Sequence, residues 1–351
     1  MTMRVLIVLT KVNQIFEHSF LEAAAANGVS LTVFCIDQSR NQPPSFWREQ
    51  VKRIIREQAI EKLLMINDYS SGKEFLVDDS IFALVPCNVW FVDPLQEKEY
   101  ATALHLKGYR HIFTYEPTDV PYCLQKFNIV ANYLLFPAGE SLFCSNPRDF
   151  TEKEDYDISF VGHIGKNQRR LQVLEAAARI CKQRHYTMAL FGEFWNNSHW
   201  LVSKTGALKF RKNYPELYPF VHNHRLSPAE VSNLYRKTRI NLNIHHPDFR
   251  TGANARTFEI MGNNNFELCD DRDFSCTSLV PGQHLAVYHD IGEFEEMLVY
   301  YLEHDMERTQ IAKSGGEAVR EHYKFSHAFA RALESGANTA PTKYAVMTIF
   351  C

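Results

Sequence analysis

The stretch Asp157-Ile158-Ser159-Phe160-Val161-Gly162-His163-Ile164-Gly165-Lys166-Asn167-Gln168-Arg169-Arg170 decides the fold. An apolar strand runs into a glycine turn, and a helix leaves it. That helix continues to about residue 183, with Val173, Leu174, Ala177, Ile180 and Cys181 on one face at helical spacing. A second strand, 187–191, ends at Gly192. A strand, a tight turn and a helix in sequence make the opening unit of a parallel sheet.

Reading outward from this unit, the alternation extends in both directions. Toward the N-terminus, strands are expected over 4–9, 31–36, 62–66, 88–93, 111–116 and 130–136, with helices over 16–26 and 46–59. Near-continuous apolar strands separated by helices indicate a parallel sheet covered on both faces. Residues 137–155 lack periodicity and carry Pro137, Gly139, Pro147 and the charge run Glu152-Lys153-Glu154-Asp155, the composition of a linker. Toward the C-terminus, Ser227-Pro228-Ala229-Glu230 is a capping box with proline at the first helical position. Ile240, Leu242 and Ile244 alternate with Asn241 and Asn243, the pattern of a half-buried strand. A short helix over 256–261, a strand over 266–269 and helices over 291–303 and 306–322 follow.

The expected architecture is therefore α/β, with two doubly wound, Rossmann-like domains facing a cleft. The first spans 1–140, a linker 141–155, the second domain 156–332 and a tail 333–351. In open α/β sheets ligands bind beyond the carboxyl ends of the strands, so two such domains frame a ligand cleft.

Bulk properties narrow the function. A chain of 351 residues with 45% hydrophobic and 23% charged residues is globular and long enough for two domains. A net charge of −3 provides no global field that would drive binding to nucleic acid or an anionic surface, which leaves only local basic patches. The N-terminal apolar run is short and Lys11 follows it, so it reads as a buried strand rather than a leader. No apolar run reaches the roughly 20 residues that span a bilayer. The eight cysteines form no CxxC pair, and several sit inside apolar runs, as in a reducing compartment. His245-His246 has no spaced partner that completes a metal set, so no metal is expected. These features describe a cytoplasmic protein.

Two segments carry the chemistry. Gly162 and Gly165 let backbone approach a ligand, the helix start offers free N–H groups, and Lys166, Arg169 and Arg170 add positive charge. This is the composition of a phosphate site, and each charge-assisted hydrogen bond there contributes about 1.5–3 kcal/mol. The competing reading is a tight turn with solvated cations. The second segment is Thr251-Gly252-Ala253-Asn254-Ala255-Arg256-Thr257-Phe258-Glu259. Arg256 and Glu259 lie three apart on one helix face. Glu259 suits two vicinal hydroxyls such as those of a ribose, and an internal Arg–Glu pair is the alternative.

Together these segments resemble the second domain of GT-B glycosyltransferases, and in particular the spore-maturation CgeB-like branch. The likeness rests on Phe160-Val161-Gly162, on Tyr235 with Ile240-Asn241-Leu242-Asn243-Ile244, and on Asn254-Ala255-Arg256-Thr257-Phe258-Glu259. It covers about 155–325 well and the first domain loosely, through Trp90-Phe91-Val92-Asp93-Pro94 and Phe113-Thr114-Tyr115-Glu116. The resemblance implies a sugar donor linked to a nucleoside diphosphate, with UDP the expected carrier, and no cofactor or metal. It assigns the ribose to Glu259 and the diphosphate to Arg256 and the basic residues after Gly165. The nucleobase wall falls to Leu226 and Tyr235. His163, Gly192, Asn254 and Thr257 complete the expected donor site. Where many relatives have an earlier acidic residue, this chain has Thr251, and Asn263-Asn264 stand where relatives place a glycine.

For the acceptor side, Asp93 and Glu116 each end an apolar strand and are expected to face the cleft, with Asp93 the first choice of general base. The aromatic and basic segment 194–215 reads as an irregular surface excursion or an acceptor loop. Three functions fit: a glycosyltransferase acting on a saccharide, protein or other hydroxyl, a phage-type DNA glucosyltransferase, and a nucleotide-sugar-binding protein without turnover.

Overall fold

The computed structural model describes residues 2–71, 74–97, 103–164, 167–247, 249–250 and 253–334. Its first sheet holds β1 (Arg4–Thr10), β2 (Ser30–Ile36), β3 (Lys62–Ile66), β6 (Cys87–Phe91), β7 (His111–Thr114) and β8 (Asn132–Tyr133). All pair in parallel, in the order β2-β1-β3-β6-β7-β8. A small antiparallel hairpin, β4 (Ser70–Ser71) with β5 (Glu74–Phe75), lies outside it. The expected strand 130–136 shortens to the two residues of β8, at the sheet's edge.

The second sheet holds β9 (Tyr156–Val161), β10 (Met188–Phe191), β11 (Val221–His222), β12 (Thr238–Asn243), β13 (Glu267–Asp270) and β14 (Ala286–Tyr288). Its order is β11-β10-β9-β12-β13-β14, again all parallel. From β9 the chain lays down β10 and β11 to one side and then crosses to lay β12, β13 and β14 on the other. This reversal opens a crevice beyond the carboxyl ends of β9 and β12, where a ligand fits. The α/β class and two doubly wound domains are as the sequence indicated, and the capping box at Ser227 and Glu230 is present.

Burial explains why these strands are so apolar. Val5 to Leu9 are all inaccessible to solvent, because helices cover both faces of the sheet. The same covering corrects the reading of β12. Asn241 and Asn243 do not face water; both are buried. Asn241 accepts from Ser159 Oγ at 2.8 Å, and Asn243 donates to Glu267 at 2.8 Å. Alternation of polar residues here marks a buried hydrogen-bond network, since amides satisfied inside cost little to bury.

Two further segments differ from expectation. Residues Trp200–Asn213, within the segment expected to be irregular, form a regular helix. Residues 137–155 are packed rather than slack. Arg148 is buried, donates to Thr238 O and pairs with Glu154, while Leu142 O accepts from Ser232 Oγ at 2.6 Å.

The expected boundary at 332 places the last helix in the second domain. Instead, Phe325–Ala332 crosses back and packs on the first. Phe325 and Phe329 meet Phe20 edge-to-face at 5.1 and 6.0 Å, and Phe325 also contacts Trp90 and Phe136. Polar ties add to this: Asn27 donates to Ser326 O at 2.9 Å and Asn88 to Ala332 O at 2.8 Å. The chain thus joins the domains twice. F329A should cost about 3–5 kcal/mol in urea unfolding. A loss below 1 kcal/mol would mean that this helix is not part of the core.

Candidate functional site

A cavity of about 290 Å³ lies between the domains. One wall comes from the turn and helix after β1, with Ile15, Phe16, His18 and Ser19, and from Ala138 and Gly139. The opposite wall comes from loops beyond the second sheet: Gly162 and His163 after β9, Gly192 and Glu193 after β10, Arg225 and Leu226 ahead of the helix Pro228–Arg236, and Arg256 with Glu259 from the helix Ala255–Met261.

The floor of the second wall depends on two abutting glycine turns. Gly192 has φ of +142°, and a Cβ there would stand 2.0 Å from Gly162 O. Only glycine fits, both for the dihedral and for the space. A Cβ on Gly162 would meet the Phe160 ring at 2.7 Å. The close approach leaves backbone, not side chain, facing the cavity.

Arg256 and Glu259 are paired at 2.8 Å, and both remain partly open to the cavity. Arg256 also donates to Tyr235 Oη at 2.7 Å. Burial pushes the Glu259 carboxyl above its ordinary value, with Arg256 opposing the rise. Tyr235, expected at the nucleobase wall, is instead fully buried behind Arg256 and holds it in place. Of the expected wall pair, only Leu226 lines the cavity.

Other expected donor contacts turn out to be structural. Arg170 donates from Nε to Ile244 O at 2.7 Å and from Nη1 to His163 O at 2.5 Å. It therefore ties the ends of β9 and β12 together across the crevice. Burial, helped by nearby Arg256, brings its guanidinium down to about 10. Arg169 leans toward Asp270, at 3.7 Å, and does not line the cavity. Asn254 caps the helix Ala255–Met261 by accepting from Thr257 N at 3.0 Å. Thr257 is buried and donates to Glu267 at 3.1 Å. Gly165, Lys166 and Thr251 lie outside the described residues. Asn264 does take the left-handed conformation, with φ of 60°, as its position after the helix requires.

On the acceptor side the expected pair is displaced. Neither Asp93 nor Glu116 lines the cavity. Asp93 accepts from Asn67 Nδ2 at 2.7 Å. Glu116 is fully buried, takes the Thr118 hydroxyl at 2.8 Å and accepts from Arg250 N at 3.3 Å, so it anchors a loop against the second domain. A strand ending in an acid points toward a cleft only if the loop does not fold over it, and here the loop turns back. The cavity wall carries His18 instead, with Glu22 one turn on at 3.9 Å. Glu22 is itself held by Ser141 N and Oγ at 2.8 and 2.9 Å. The sequence signal for His18 was a histidine four residues before a glutamate on the first helix after β1. Arg225, paired with Glu193 at 2.9 Å, is a further cation of the cavity that motif spacing did not single out.

Residues 168–334 match a family model described as glycosyl transferase-like. No curated protein matches. Solved structures align over nearly the whole chain. A glycosyltransferase from Rickettsia africae has 11% identity over 95% of this chain and 97% of that one, with a TM-score of 0.62. HepE of Anabaena in complex with UDP has 10% identity over 94% and 98%, with a TM-score of 0.61. An alpha-glucosyltransferase bound to UDP and a 13-mer DNA has 8% identity over 94% and 98%, with a TM-score of 0.67. The chain has the GT-B fold, and its second domain carries the glycosyl transferase-like pattern.

Glu267 offers a test of the network beneath the site. It accepts from Asn243 and Thr257, and its Oε2 is buried without a hydrogen-bond partner. Burial pushes its carboxyl from 4.5 up to about 7, against those two donors. Between these values the folded protein keeps a proton that the unfolded chain has released. Its contribution to stability is therefore full below about 4.5 and is lost as pH rises to about 7. E267Q should flatten that slope and gain on wild type at pH 8, read by urea unfolding at pH 5 and 8. Parallel wild-type and variant curves would disprove the assignment.

Proposed function

We propose that the protein is a glycosyltransferase that binds a nucleoside diphosphate-sugar, with UDP as the carrier, and passes the sugar to a hydroxyl acceptor without a bound metal. The observation that carries this reading is that Arg256 and Glu259 share one interdomain cavity with the Gly162 and Gly192 turns, at the reversal of the second sheet. A carboxylate, a guanidinium and backbone of two glycine turns are the complement of a ribosyl diphosphate.

In this reading Glu259 accepts from the ribose hydroxyls. The glycine turns admit the diphosphate, and Arg256 and Arg225 offset its charge as the glycosidic bond to phosphate oxygen breaks. The acceptor oxygen forms the new bond to the sugar carbon. Its proton passes to the His18 imidazole, and the Glu22 carboxylate 3.9 Å away offsets the charge that forms there. At the finer level, the 160–162, 240–244 and 254–259 motifs support a place in the CgeB-like branch, and we read the protein as cytoplasmic.

Titration calorimetry with UDP, GDP, ADP and TDP in EDTA should give heat with UDP. E259A should weaken that binding at least about tenfold, the scale of one lost hydrogen bond to a charged group. No heat from any of the four would end the donor-site reading. H18A should lower donor turnover by about 10²–10⁴-fold, with UDP affinity unchanged. Unaltered turnover would remove His18 from the reaction.

A further inference from the structure

The helix Trp200–Asn213 reads Trp-Leu-Val-Ser-Lys-Thr-Gly-Ala-Leu-Lys-Phe-Arg-Lys-Asn, with four cations and no acid. Its inner face is spent. Phe210 is buried, its ring 5.4 Å from Trp195 and 5.8 Å from Phe194, and Gly206 packs directly on the Trp195 side chain. Its outer face carries exposed apolar side chains interspersed with basic ones. Leu201 is 51% exposed and Leu208 66%, seven residues apart and so on the same side. Trp200, 61% exposed, and Val202, 41% exposed, extend this patch at the leading end. Lys204 stands between the two leucines and Lys212 four residues beyond the second, on the same side, while Lys209 and Arg211 flank them; Lys204 sits 5.1 Å over the Trp200 ring.

We propose that this helix is a docking surface for an anionic lipid bilayer. Exposed leucines and a tryptophan among lysines, without an acid, match an interface where apolar groups enter the acyl boundary and cations meet phosphate headgroups. Charge complementarity selects the anionic surface, and the leucine pair selects lipid over nucleic acid, whose phosphates offer nothing to an aliphatic side chain. The chain as a whole is net acidic at −3, so the attraction is local to this element. Its leading end is anchored beside the cavity. The segment between Glu193 and the helix is fixed by Asn223, which accepts from Phe194 N at 2.6 Å and Trp195 N at 3.1 Å. Docking there holds the mouth of the cleft near the membrane surface. The inference concerns a surface outside the cavity and stands apart from the sugar-transfer reading.

The test uses the full chain with vesicles of phosphatidylcholine alone and of phosphatidylcholine with 30% phosphatidylglycerol. Sedimentation with the anionic vesicles only, weakened by raising NaCl from 50 to 500 mM, is expected. L201S/L208S should lower the bound fraction at least tenfold, with far-UV circular dichroism unchanged. Trp47 and Trp90 are buried and Trp195 is half-buried against this helix, so in a W195F background a blue shift of emission on binding should come from Trp200 and vanish in W200F. The proposal fails if the protein stays in the supernatant, if L201S/L208S binds like wild type, or if the blue shift persists in W200F. It fails equally if the helix retains duplex DNA while ignoring vesicles.

Discussion

At the reversal of the second sheet, the backbone of Gly192 runs against the carbonyl of Gly162 with no room for a Cβ. This contact sets the shape of everything around it. It lets β9 and β10 end side by side with bare backbone toward the other domain, and so leaves space rather than side chains at the point where the strand order turns. The helix carrying Arg256 and Glu259 closes the same space from the far side of β12. A Cβ at Gly192 would strike the Gly162 carbonyl and one at Gly162 the Phe160 ring, so a side chain at either position would force the two turns apart.

Charged residues around the crevice divide into those that hold it and those that face it. Arg170 binds two backbone carbonyls across the strand ends, and Tyr235 fixes Arg256 from behind. Below them Asn243, Asn254, Thr257 and Glu267 form a buried network that joins β12 and β13 to the helix above. Rigid support of this kind keeps Arg256 and Glu259 in one geometry whether or not a ligand is present, which reduces the cost of ordering them on binding. The ionisable groups left facing the cavity are few: Glu193, Glu259, Arg225, Arg256 and His163 on one side, and His18 on the other.

The two domains are held by more than the chain between them. The aromatic cluster of Phe20, Trp90, Phe136, Phe325 and Phe329 draws the end of the chain back onto the first domain. Across the cleft, Glu116 accepts from Arg250 N, and Tyr115 meets Phe249 edge-to-face at 5.4 Å. The cavity therefore lies between bodies that are connected on two sides.

Most of the fold was legible in the residues. The run from Asp157 to Arg170 and its apolar counterparts in the first half specify strands and helices by periodicity, which depends only on local geometry. Glu259 and Arg256 were legible as a pair for the same reason, since three residues apart on a helix means neighbours. What only the tertiary structure decided was which polar groups face inward. Asn241 and Asn243 looked solvent-facing and are core, and Thr257 and Tyr235 looked like ligand contacts and are supports. Glu116 looked catalytic and anchors a loop, while His18 reaches the cavity from an unremarkable helix. Periodicity tells which face of an element is polar, but the partner packed on that face sets whether it meets water, a ligand or another buried donor. That choice depends on contacts between residues far apart in the chain, which no local pattern encodes.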